Sequence, residues 1–117
     1  MLNLSLPVDV YLCIIPADMR RSFDGLLRMA TEHIARDPLQ SGLYVFINKR
    51  RDRAKLLYWD GDGLAIWYKR LEEGTFHLPM VEDDVTGIAI SGTDLALLLQ
   101  GIDLKVTRRR KRYRRSA

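Results

Sequence analysis

Five carboxylates, Asp18, Asp24, Asp60, Asp62 and Glu72, are numerous enough to bind the metal that a phosphoryl-cleaving site requires. Each also has a plainer use. Asp60 and Asp62 flank Gly61, where aspartate is common because it bonds to its own turn backbone. Asp24 falls in the first turn of an expected helix, where the dipole favours an acid. Asp18 stands beside Arg20 and Arg21, placed to cap a turn or to pair with either one. His33 and His77 have no second ligand at metal-binding spacing. Ser91 has no nucleophile-elbow context, and no phosphate-binding glycine loop occurs. The single cysteine, Cys13, excludes an internal disulfide and a multi-cysteine metal site, and it falls in an apolar strand where thiols are inert. The expectation is a protein that is not an enzyme, with no catalytic residues, no metal and no cofactor.

Positive charge is the better-defined chemistry. The stretch NKRRDRAK (48–55) carries Lys49, Arg50, Arg51, Arg53 and Lys55 against one acid, Asp52. On a hairpin tip these side chains suit phosphate oxygens, which arginine grips with paired donors, although a charged tip also serves solubility. The end of the chain, KVTRRRKRYRRSA, holds Lys105, Arg108, Arg109, Arg110, Lys111, Arg112, Arg114 and Arg115, eight of the 19 basic residues. Residues 1–104 carry 11 basic and 15 acidic groups, a formal −4, so a net +4 chain is an acidic body with a +8 arm. Such a block repels itself and has almost nothing apolar to bury, which predicts disorder when free. A polyanion, most simply DNA or RNA, is its natural partner, because each neutralised phosphate releases counterions; a merely solubilising terminus is the plainer alternative.

These charges need elements to hold them. At 117 residues, 47% hydrophobic and 29% charged, the chain is expected to form one core-bearing domain over 1–104 with the tail 105–117 beyond it. A first strand is predicted at 8–14 between Pro7 and Pro16. Ser22 is a candidate N-cap for a helix running to about Arg36, with Phe23, Leu26, Leu27, Ala30 and Ile34 on one face. Asp37-Pro38 should end it. Strands are predicted at 43–48, 55–60 and 64–70, with Gly61-Asp62 as a two-residue type II′ turn. A short TFHL strand (75–78), an acidic loop, a brief IAIS strand (88–91) and a helix over 93–100 follow. Ser91 and Asp94 have capping-box spacing for that helix, and Gly101 should stop it. The class is α+β: an antiparallel β-meander of about four to five strands with one long and one short helix.

Strand parity sorts the aromatic residues of LLYWDGDGLAIWYKRL (56–71). If Trp59 opposes Leu64, one face carries Leu57, Trp59, Leu64, Ile66 and Tyr68, and the other Leu56, Tyr58, Ala65, Trp67 and Lys69. Both faces are apolar, so a cover is expected on each: the first helix on one, the first strand or second helix on the other. An open aromatic face on which bases stack is the alternative, but Leu56 and Ala65 among the aromatics suit packing better.

Several of these segments, in this order, resemble a known family. PADMRRSFDGL (16–26), DPLQSGLYVFINKRRDRAKLLYWDGDGLAIWYKRLEEGTFHLP (37–79) and LLLQGID (97–103) are similar to the small TnpB-type transposition accessory proteins of the insertion-sequence sixty-six family, which are unrelated to the RNA-guided nuclease sharing that name. The most specific portions are Asp18-Met19-Arg20 with Phe23-Asp24-Gly25, and Leu57, Trp59, Asp60 and Gly61 through to Lys69, Arg70, Leu71 and Glu72. The resemblance implies a protein encoded beside a DDE-type transposase and needed for movement of the element.

Within that context the charged motif residues Asp18, Arg20, Asp24, Lys69, Arg70 and Glu72 have two readings. They can form an internal network, with Arg20 on Glu72 or Arg70 on Asp24, or they can present a surface to the transposase. Function divides similarly. The favoured expectation is an accessory protein that binds DNA non-specifically through the basic hairpin and tail and assists the transposase. The alternative is an adaptor that docks on the transposase without touching DNA. No apolar run approaches the roughly 20 residues of a membrane span, and the N-terminus makes a poor signal peptide, so a cytoplasmic protein is expected. A strand edge or second apolar face leaves room for a homo-oligomer.

Overall fold

The computed structural model describes residues 9–101. The predicted tail and its arginines, Arg108 to Arg115, lie outside the described residues. Five strands form one sheet in the order β4-β3-β2-β1-β5: β1 (Val10–Cys13), β2 (Leu43–Ile47), β3 (Arg53–Trp59), β4 (Leu64–Arg70) and β5 (Gly87–Ile90). Two helices accompany it, α1 (Phe23–Met29), which continues as a π-helical turn over Ala30–Ile34, and α2 (Gly92–Leu99). The fold is α+β, as expected, with mostly antiparallel pairing.

One pairing departs from the expected meander: β1 and β2 run parallel, Val10 opposite Leu43 and Leu12 opposite Val45. A parallel pair requires a crossover, and α1 supplies it. β5 joins at the far edge of the sheet, antiparallel to β1. The chain between β4 and β5 must therefore cross the whole sheet, about 4.8 Å per strand. This explains a second departure. Residues 75–78 form no strand; they pass over one face and sink Phe76 and Leu78 into it.

The β3–β4 register is the one parity required, with Trp59 opposite Leu64, Leu57 opposite Ile66 and Leu56 opposite Trp67. Gly61 takes φ +84° in the connecting turn, where Asp60 N–H donates to Gly63 O at 2.7 Å, the positive φ expected of its first turn residue. Alternate residues then divide into two cores. Tyr44, Phe46 and Leu57 pack with Leu26, Met29 and Ala30 beneath α1. Val45, Ile47 and Leu56 pack with Phe76, Leu95 and Leu98 beneath α2 and the crossing strap. Both faces are covered, the second by α2; β1 is a member of the sheet and not its cover.

The helix ends also differ in detail. Ser22 makes no side-chain cap, and the first helix stops at Ile34, where Ala35 turns left-handed at φ +58°. In the π turn, the His33 carbonyl accepts from Thr86 Oγ1 at 2.7 Å. Ser91 does cap α2: its Oγ accepts from the Asp94 amide at 2.9 Å.

Candidate nucleic-acid interface

The β2–β3 turn is built around Asn48. Its Oδ1 accepts from the amides of Asp52 and Arg53, both at 3.0 Å, while its Nδ2 donates to Asp52 Oδ1 at 2.7 Å. Arg51 adopts φ +61° and its amide closes on Asn48 O. From outside, Phe76 N–H donates to Arg51 O at 2.6 Å and Leu71 N–H to Asp52 O at 2.7 Å, so the crossing strap braces the turn. The backbone is thereby fixed, while the side chains of Lys49, Arg50 and Arg51 are exposed and have no ion pair among the described residues. Asp52 is turned inward on Asn48 and acts on Arg50 only without a close ion pair, so these cations keep their donors for another partner.

The loop before α1 forms the other wall. Ala17 N–H donates to Ile47 O at 2.9 Å, holding that loop beside the turn. Between them lies an open cleft of about 310 Å³, bordered by Asp18, Met19, Lys49, Arg50 and Arg53. Asp18 takes both Nε and Nη2 of Arg20, the latter at 2.6 Å, and these bonds pull its carboxyl down to about 2. Asp52 is likewise held below the usual carboxylate range, chiefly by the Asn48 bond, with Arg50 and Arg53 adding to it. Both carboxylates therefore remain ionised at neutral pH.

The motif residues do not form the expected cross-element network. Arg20 pairs with Asp18, and Arg70 pairs with Glu72 at 2.8 Å; each pair is local and solvent-exposed. Two lysines make the long-range links that the sequence did not reveal. Lys55 Nζ donates to Met19 O at 2.7 Å and Arg21 O at 2.9 Å, fastening the start of α1 to β3. On the opposite face, Lys69 Nζ donates to Leu99 O at 2.8 Å and so satisfies a last-turn carbonyl of α2. Lys55 is thus spent inside the protein, unlike its neighbours in the basic cluster. Their strand positions were legible, but lysine-to-carbonyl bonding leaves no pattern in a sequence.

Trp59 is 42% exposed at the end of β3, and Asp24, Asp60 and Asp62 face solvent. Among the described residues no three His, Cys, Asp or Glu side chains gather as a metal site would need. Cys13 is buried, bonds weakly to Ile15 O, and has its thiol pushed up to about 11 by burial. No helix among the described residues is long and apolar enough to cross a membrane.

Residues 8–109 match the family described as IS66 Orf2 like protein. The chain belongs to the IS66 Orf2-like family. The match takes in the whole sheet, both helices and the β2–β3 turn, and ties the chain to insertion-sequence transposition. Among its relatives is the uncharacterized protein y4jC of Sinorhizobium fredii (strain NBRC 101917 / NGR234), 36% identical over 88 residues, which cover 75% of this chain and 74% of that one. The uncharacterized protein y4hO of the same strain is 35% identical over 96 residues, 82% of each chain. No solved structure matches.

Proposed function

We propose that this IS66 Orf2-like protein is a transposition accessory that grips DNA by its phosphates, through the β2–β3 turn and the arginine-rich tail, and delivers or steadies that DNA for the transposase. The observation that carries the reading is the braced turn, on which Lys49, Arg50 and Arg51 are exposed and make no ion pair among the described residues. A fixed backbone with free cations loses little order on meeting a phosphate chain, and backbone contacts position a protein without reading sequence. Arg53 stands at the cleft and can join them. The tail adds eight formal charges by sequence alone.

A second reading has one observation in its favour. Trp59, within the family-motif segment, is 42% exposed at a hairpin end, as an aromatic anchor for the transposase would be. In that adaptor reading the protein docks on the transposase and never meets DNA. A gel-shift competition separates the two: the DNA reading expects retarded duplex, competed equally by element-end and scrambled sequences. No retardation at low salt, together with capture of purified transposase, would favour the adaptor.

A further inference from the structure

Tyr68 is held from two sides yet left open. It lies directly opposite Lys55 across β3 and β4. Lys55 Nζ sits 4.9 Å from the ring centroid, over one face, while its donors are fixed on the Met19 and Arg21 carbonyls. Arg53 Nη1 donates to the Tyr68 hydroxyl at 3.2 Å. The side chain is therefore clamped at its face and at its tip, and it still remains 47% exposed.

Its surroundings are cationic. Arg53 and Arg70 stand directly opposite one another on the same sheet face, two residue pairs along the ladder from Lys55 and Tyr68. Like charges placed so are mutually unfavourable unless an anion lies between or beside them. Glu72 answers Arg70 through an exposed pair of little strength, and Asp52, turned onto Asn48, acts on both arginines but makes an ion pair with neither among the described residues. An aromatic ring fixed in a basic field is the arrangement that single-strand binders use: the ring stacks on a base while neighbouring arginines take the backbone. A duplex hides its base faces, so such a ring has something to stack on only where DNA is unpaired.

We infer that Tyr68 is a stacking site for an unpaired nucleobase, with Arg53 and Arg70 on the flanking phosphates, so that the protein favours single-stranded DNA over duplex. This rests on the DNA-binding reading above and refines it: the β2–β3 turn grips backbone of either form, while Tyr68 distinguishes them. An acidic segment of the transposase is the competing occupant, but it would use the arginines and leave the ring without a partner.

The test is fluorescence anisotropy with the full chain, a short oligothymidylate and a blunt duplex of equal length. Tyr68→Leu should weaken oligothymidylate binding by about tenfold, since stacking on one aromatic residue typically contributes that much or more. Duplex affinity should stay within about twofold. Tyr68→Phe, which keeps the ring, should retain most single-strand affinity and guards against misfolding as the cause. If Tyr68→Leu weakens both forms equally, or neither, while the full chain still binds duplex, the stacking site is refuted and phosphate binding survives. If Tyr68→Leu spares DNA but releases purified transposase, the patch belongs to that protein and the inference falls. Failure of the full chain to bind either DNA at low salt would sink the DNA-binding reading itself, and this inference with it.

Discussion

Asn48 and Asp52 clasp each other across the β2–β3 turn, side chain to side chain at 2.7 Å, and the Asp52 amide returns a bond to Asn48 at 3.0 Å. Asn48→Ala should therefore cost about 1 kcal/mol in urea unfolding, the order expected when half-buried turn donors lose their acceptor. The clasp also carries a pH signature. Because Asp52 has a lowered folded-state pKa, its contribution is present above the ordinary aspartate value, near 3.9, and is lost as pH falls through the lower folded value. A carboxyl titration followed by NMR should show Asp52 moving up towards the ordinary value in Asn48→Ala. An unchanged Asp52 titration would mean that the arginines, and not Asn48, hold it down.

Gly87 is the tightest point between β5 and the π turn. A Cβ there would lie 2.7 Å from His33 O and 2.8 Å from Ile34 Cγ1, and a backbone oxygen cannot step aside cheaply. Gly87→Ala should lower stability by about 1–3 kcal/mol, as overpacking usually does. At Gly92, in the first turn of α2, an added Cβ meets nothing within 4 Å, so Gly92→Ala should be neutral or slightly stabilising. Thermal melts of the two variants make the comparison; similar losses would contradict this packing.

Lys69 should behave as an anchor and Glu72 as ornament. Lys69→Met keeps the apolar stem but removes the donor to Leu99 O, and is expected to cost about 1 kcal/mol with faster amide exchange in the last turn of α2. Glu72 and Arg70 are both exposed, so Glu72→Gln should leave the melting temperature unchanged. Exchange protection at α2 that is identical in Lys69→Met and the parent chain would contradict the anchoring role.

Much of this was legible in the sequence where a rule is local. A glycine in a two-residue loop fixed the β3–β4 register, and parity then placed Leu56 and Leu57 on opposite cores. Ser91 and Asp94 announced the α2 cap by their spacing alone. What failed was non-local. Strand-helix-strand order over β1, α1 and β2 is compatible with either strand direction, and the buried parallel pair emerged only in the sheet. TFHL reads as a strand because Phe76 and Leu78 alternate, yet they alternate to plug a face and not to join a ladder. In the interface, the cluster of cations was plain, but the difference between Lys55, turned inward, and Lys49 to Arg51, turned outward, depends on a loop 34 to 36 residues away.

If the basic turn and tail act on DNA phosphates, salt should govern binding. The most direct measurement is duplex affinity across a salt series for three proteins: the full chain, a chain ending at Asp103, and a variant with Lys49, Arg50 and Arg51 all changed to Ala. A grip on phosphates gives the full chain a steep log–log salt slope, since each phosphate contact contributes roughly −0.9. The turn variant should lose up to about 2.7 from that slope and the truncation up to about 7, with folding intact in both. The same slope in all three proteins, or no binding by the full chain at low salt, would contradict it.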